Sequence, residues 1–152
     1  MLNPDFRDML CALNDEGVEY LLVGAYALAV HDCPRATGDM GLCIRRSTEN
    51  AERVWRTLRR FGAPLLNLTL EDLSAPDVVF PIGVAPQRID LLTSISGVEF
   101  DDAWPDALET ELEGLVVRVL SRRRLIENKK STGRAQDLPD AAWLESANDS
   151  AT

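Results

Sequence analysis

The stretch from Leu21 to Arg45 constrains this chain more than any other. An apolar run, Leu21-Leu22-Val23, breaks at Gly24-Ala25, and a second run follows in alternation as Asp39, Met40, Gly41, Leu42, Cys43 and Ile44. A period of two puts Asp39, Gly41 and Cys43 on one face of a strand and Met40, Leu42 and Ile44 on the other. The apolar face belongs in a core. The opposite face opens with an acid, close after a glycine turn, where a magnesium-dependent phosphoryl or nucleotidyl transfer site would place a ligand. The next position on that face is Gly41, which offers no ligand atom. Cys43 cannot stand in for it, because a thiol is a poor ligand for so hard a cation as Mg²⁺.

With 152 residues, 45% hydrophobic and 27% charged, the chain has the size and composition of one soluble globular domain, 1–152. Its longest apolar run, Tyr20 to Val30, contains Gly24 and is too short to cross a bilayer, and Met1-Leu2-Asn3-Pro4-Asp5 carries no signal-peptide pattern. A cytoplasmic location without a membrane partner is the expectation. Cys11, Cys33 and Cys43 have neither an even count nor a paired spacing, which points to free thiols rather than a disulfide framework or a zinc site. A net charge of -9 disfavours non-specific binding to nucleic acid, although the basic residues are clustered.

Phe6, Met9, Leu10 and Leu13 recur at helical spacing over Pro4 to Asn14, with Gly17 as a stop. Glu19 to Val23 reads as a strand and Ala25 to His31 as a helix, so the Gly24-Ala25 turn sits at a helix N-terminus, where free N–H groups suit phosphate oxygens. Gly24 either serves such a ligand or only ends the strand. Arg35 either reaches a phosphate or is solvated, and His31 is either a base or a helix-end residue. Ser47 caps a helix from Thr48 to about Phe61 whose Arg53, Arg56, Arg59 and Arg60 form a solvated face. A connector with a short helical turn covers Leu65 to Ala75.

Asp77 to Gly83 and Gln87 to Thr93 read as an antiparallel strand pair. Asp90, between Ile89 and Leu91, must face solvent or meet a cation, since burying it alone would cost several kcal/mol. Ser94 to Phe100 and the acidic Asp101 to Glu113 read as a loop and an irregular helix, and Leu115 to Leu120 as a strand that closes an α/β core over 1–120. Ser121 caps a basic helix through Lys130, and Asp137 starts a last helix, giving C-terminal helices over 121–146 and a frayed polar tail over 147–152. Lys129 and the nearby Arg134 either approach the acids or lie on a surface helix.

Taken in order, Leu22-Val23-Gly24-Ala25-Tyr26-Ala27, Pro34 to Met40, Arg88-Ile89-Asp90-Leu91-Leu92, and Leu125-Ile126 with Lys129 and Gly133 to Leu138 resemble the small bacterial nucleotidyltransferase-like proteins. These belong to the DNA polymerase beta-like superfamily, near the AbiEii-type toxins and the minimal nucleotidyltransferases. The resemblance implies an α+β fold, a mixed β-sheet flanked by helices. It implies that Gly24 and Ala25 form the phosphate turn, that Asp39 and Asp90 are the first and third metal-binding acids, and that Arg35, Thr37, Lys129 and Arg134 contact the nucleotide. Ala25 stands where such proteins usually carry glycine or serine, and Gly41 stands at the second acid. The implied activity is Mg²⁺-dependent transfer of a nucleotide from an NTP to a hydroxyl of an RNA such as tRNA, a protein or a small molecule, impaired by Gly41. Asp90 would be the base for the acceptor hydroxyl. The alternative is a catalytically inactive nucleotide-binding module or a toxin-antitoxin protein with an antitoxin partner.

Overall fold

The structure is a computed structural model that describes residues 2–33, 38–84 and 87–148, with the side chains of 147 and 148 left aside. Helix α1 (Pro4–Asp15) begins where the Asn3 side chain accepts a hydrogen bond from Asp5 N at 2.7 Å, and it buries Phe6, Met9, Leu10 and Leu13. Strand β1 (Tyr20–Val23) runs straight into helix α2 (Gly24–Val30), and strand β2 (Met40–Ile44) returns beside it. Helix α3 (Thr48–Phe61) starts at Ser47, whose hydroxyl accepts from Asn50 N, and stops at Gly62, whose φ of 85° only glycine adopts at no steric cost. A 3-10 turn at Glu71–Ser74 leads to β3 (Val79–Ile82) and β4 (Ile89–Leu92). A single helical turn, α4 (Phe100–Ala103), precedes β5 (Leu108–Leu112) and β6 (Leu115–Val119). The basic helix α5 (Arg122–Ser131), a 3-10 turn at Ala135–Asp137 and helix α6 (Leu138–Asn148) complete the described chain.

The six strands form one mixed sheet in the order β3-β4-β2-β1-β6-β5. Strand β1 lies at its centre, antiparallel to β2 and parallel to β6, and all four of its residues are buried, as expected of a strand covered on both faces. Strand β2 pairs in parallel with β4, so that Gly41 stands opposite Asp90, and β3 pairs antiparallel with β4 as expected. Met40, Leu42 and Ile44 are fully buried as expected, and Cys43 on the opposite face is buried as well, so only Gly41 within the strand is partly open. Helices α1 and α3 pack on one another, joined at their rims by Arg56–Glu16 and Arg60–Asp15 ion pairs, so part of the arginine face is paired as well as solvated. None of the described helices is long and apolar enough to cross a membrane.

Three expectations need correction. The irregular helix over Asp101 to Glu113 is only the turn α4, and Leu108–Leu112 is an edge strand. Its Leu-Glu-Thr-Glu-Leu alternation is masked in the sequence by acidic residues that favour helix, and the hairpin to β6 is made by Glu113 and Gly114, both at positive φ (49° and 85°). Asp137 does not start the last helix; it ends the 3-10 turn with its side chain buried, and α6 begins at Leu138. That helix runs to Asn148, past the expected start of fraying, and residues 149–152 lie outside the described residues.

One buried amide ties these elements together. Asn50 Oδ1 accepts from Glu19 N at 2.8 Å while its Nδ2 donates to Glu19 O and Arg45 O, both at 3.0 Å. The N-terminus of α3 is thereby fixed to the start of β1 and the end of β2. Removing the amide would leave three backbone groups without it, so Asn50→Ala is expected to lower unfolding free energy by about 2 kcal/mol. Urea unfolding should show a lower midpoint with an unchanged slope.

Candidate active site

The candidate site is built at the ends of β1, β2 and β4. Val23 ends β1 in extended conformation, and Gly24 follows with a φ of 70°, a left-handed value strained for any residue with a side chain. An ideal Cβ at Gly24 would meet no heavy atom within 4 Å among the described residues beyond its chain neighbours. Backbone conformation demands the glycine there, and among the described residues nothing crowds the turn. Gly24 itself opens the seven-residue α2, which ends at Val30 with His31 as its C-cap; the imidazole Nε2 lies 2.9 Å from Leu120 O, so this buried histidine ties the helix end to the segment after β6.

Asp39 lies immediately before β2, and Arg88 immediately before β4. Met40 N donates to Arg88 O at 2.9 Å, continuing the parallel ladder one step beyond the strands and placing residues 39 and 88 side by side. Arg88 and Asp90, two residues apart in extended backbone, share a face. From there the Arg88 guanidinium forks onto Asp90, with Nε at 2.7 Å from Oδ1 and Nη2 at 3.1 Å from Oδ2. The same Nη2 lies 3.4 Å from Asp39 Oδ2, and Arg88 N donates to Asp39 Oδ1 at 2.9 Å. All four carboxylate oxygens therefore face a nitrogen of Arg88. The hydrogen bond and charge of Asp90, with a further contribution from Asp39, hold the guanidinium pKa above its ordinary value.

Gly41, in register with Asp90 and with Val23, has the negative φ of an ordinary strand residue. A Cβ there would lie 3.2 Å from Val23 Cγ2, 3.6 Å from Val23 O and 3.9 Å from Leu92 Cδ1. The Val23 side chain thus leans over the place a second acid would leave from. Among the described residues, no group of three or more His, Cys, Asp or Glu side chains is arranged to hold a metal ion. Two carboxylates on neighbouring segments could supply only part of an octahedral shell, so a Mg²⁺ held there would take most of its ligands from water or substrate. Cys43, farther along the same face, has its thiol pushed up to about 12 by burial, although Arg46 pulls it down.

Two residues of this site have no role assigned by the sequence pattern. Arg88 is one; its signal was the i, i+2 spacing to Asp90 in a strand. The other is Tyr26, packed edge-on against Phe6 at 5.6 Å, whose hydroxyl pKa is raised by burial and by the charge of Asp39. Arg35 and Thr37 lie outside the described residues.

Lys129 and Arg134 meet in a separate cluster at the junction of α5 and α6. Lys129 Nζ is 3.3 Å from Asp137 Oδ1 and 3.8 Å from Asp140 Oδ2. Asp137 Oδ2 also accepts from Thr132 Oγ1 at 2.6 Å and Arg134 Nε at 2.7 Å. Lys129, Asp137 and Asp140 are all buried, so this group stabilises the helix junction while α5 packs against α2.

No family model matches the sequence, and no curated protein matches it. The fold is similar to that of a solved protein from Thermotoga maritima described as a candidate nucleotidyltransferase, with a TM-score of 0.62 over 96% of each chain at 15% identity. The mixed six-stranded sheet flanked by helices is thus a nucleotidyltransferase-like fold.

The Asp137 cluster gives this half of the molecule an acid-sensitive lock. Burial pushes the Asp137 carboxyl up, but the Thr132 hydroxyl, the Arg134 guanidinium and the Lys129 ammonium outweigh it and leave the pKa below the ordinary 3.8. A carboxyl depressed in the folded state contributes stability above its unfolded pKa and loses it as pH falls through the folded pKa. Unfolding free energy should therefore drop as pH is lowered below 3.8, and Asp137→Asn, less stable at neutral pH, should show a shallower loss in urea titrations from about pH 5 to pH 2.

Proposed function

We propose that this chain is a nucleotidyltransferase impaired at its metal site, which moves a nucleotide from an NTP to the hydroxyl of an RNA, protein or small molecule. The observation that carries this reading is the convergence of Asp39 and Asp90, from segments far apart in sequence, beside the open Gly24 turn. Two acids from distant segments that meet around one cation make a place where a second cation can exchange in, which supports a cation-dependent site.

In this reading Asp39 and Asp90 hold Mg²⁺, which when bound supplies electrostatic stabilisation to the charge developing on the α-phosphate. The backbone of Gly24 and Ala25 cradles phosphate oxygens, with Arg35 and Thr37 contacting the nucleotide from the segment before Asp39. Asp90 accepts the proton of the acceptor hydroxyl as its oxygen attacks the α-phosphorus and pyrophosphate leaves. Lys129 and Arg134 contribute from α5 and its following turn, by supporting α2 as much as by their charge. With Gly41 at the second acid position, the metal site lacks one negative charge and transfer is slow.

A second reading, a module that binds nucleotide without turnover, is favoured by the engagement of every Asp39 and Asp90 carboxylate oxygen with Arg88. Transfer of an α-labelled NTP to total RNA and protein in the presence of Mg²⁺ separates the two. Gly41→Asp is expected to raise labelling about tenfold or more, while Asp90→Asn abolishes it. Gly41→Ala, which meets the same Val23 methyl without adding a carboxylate, should leave labelling at the unaltered level. Labelling by none of these chains, combined with calorimetric binding of the NTP, would select the module.

A further inference from the structure

We infer that Arg88 is the resident cation of the Asp39–Asp90 pair, and that a divalent ion reaches these carboxylates only by displacing its guanidinium. The inference rests on the acids being the metal-binding pair of the proposed function. It adds a residue of this chain that competes for them.

The geometry is that of a built site rather than a chance surface pair. Arg88 is held by the ladder that aligns β4 with β2, through Met40 N to Arg88 O, so the position of its side chain is set by the same register that brings Asp90 opposite Gly41. Its contact with Asp90 is two-pronged, at 2.7 and 3.1 Å, the planar fork-to-carboxylate arrangement that an ammonium cannot reproduce. One prong is shared with Asp39 at 3.4 Å, so a single guanidinium bridges both acids. The three side chains are only 20 to 36% exposed, which strengthens the bridge relative to a fully solvated pair while leaving a path for an ion.

Mg²⁺ and Mn²⁺ require oxygen ligands in near-octahedral order. An ion entering between Asp39 and Asp90 needs at least one oxygen from each, and each of those oxygens already faces Arg88 nitrogen. Without the guanidinium, Asp90 loses its two-pronged partner and Asp39 one of its contacts, which favours another cation between them. Gly41 adds to the asymmetry, because the acid that would let an ion compete is missing at the position opposite Asp90. The backbone N–H of Arg88 keeps its bond to Asp39 whatever the side chain, so replacing the guanidinium leaves the Asp39 anchor in place.

The test uses Mn²⁺ alone as the probe, with its free-ion electron paramagnetic resonance signal read during titration of the full chain, without nucleotide. The unaltered chain should bind Mn²⁺ weakly, and Arg88→Gln should bind it about tenfold more tightly. The gain should vanish in the Arg88→Gln, Asp90→Asn double variant. Arg88→Lys keeps the charge but loses the two-pronged contact with Asp90, so it should fall between the two, and it serves alone if Arg88→Gln does not fold by circular dichroism. Equal Mn²⁺ affinity in the unaltered chain and the Arg88 variants, lost on Asp90→Asn, would overturn the role of Arg88 and leave the acids as metal ligands. Absence of Mn²⁺ binding from every chain would overturn both, and a gain that survives Asp90→Asn would place the ion elsewhere and overturn the competition.

Discussion

The parallel pairing of β2 with β4 is the constraint on which the rest of this site depends. Backbone hydrogen bonds fix Met40 beside Ile89 and Gly41 beside Asp90, and a slip by one residue would turn Asp90 into the core and Leu91 toward the open face. Hydrophobic burial guards against that slip, because Ile89 and Leu91 join Met40 and Leu42 in the core. The electrostatics of the acid pair are therefore secured by apolar residues that never touch it. The central strand β1 does the same from the other side: its buried side chains hold β2 in place and its end delivers the chain to the Gly24 turn.

Much of this architecture is legible in the order of residue types. The alternation from Asp39 to Ile44 gives β2 and its inner face, Ser47 and Gly62 bracket α3, and Ser121 opens α5. What escapes is whatever depends on a partner distant in sequence. Strand β5 is a strand because β6 lies beside it, and its glutamates, read alone, favour helix. Asn50 looks like an ordinary polar residue in the first turn of a helix until Glu19 and Arg45 arrive on either side. Asp137 looks like a cap because aspartate so often is one, and only the approach of Lys129, Thr132 and Arg134 explains its burial.

Two of the charged clusters, those around Asp137 and Arg88, differ in kind. Around Asp137, three donors converge on one buried carboxylate, two of them cations that balance its charge away from water. Around Arg88 a single cation serves two acids, and all three side chains are partly open to solvent, whereas Lys129 bridges Asp137 and Asp140 in a buried setting. The first suits a permanent joint between helices, and the second an exchangeable one, since another cation can take over what the guanidinium supplies. Neither distinction is visible in the net charge of -9, which counts both clusters alike.

Gly41 has a meaning that goes beyond the missing ligand. Every glycine codon is a single base change from one for aspartate or glutamate, so in genetic terms a third acid is close at hand. Backbone conformation raises no obstacle, because Gly41 sits at negative φ. What stands in the way is one methyl group, Val23 Cγ2, 3.2 Å from where a Cβ would be. A third acid on this face thus turns on whether that methyl can give by a few tenths of an ångström or a smaller residue at position 23 comes with it, so the two positions are coupled in any evolutionary path.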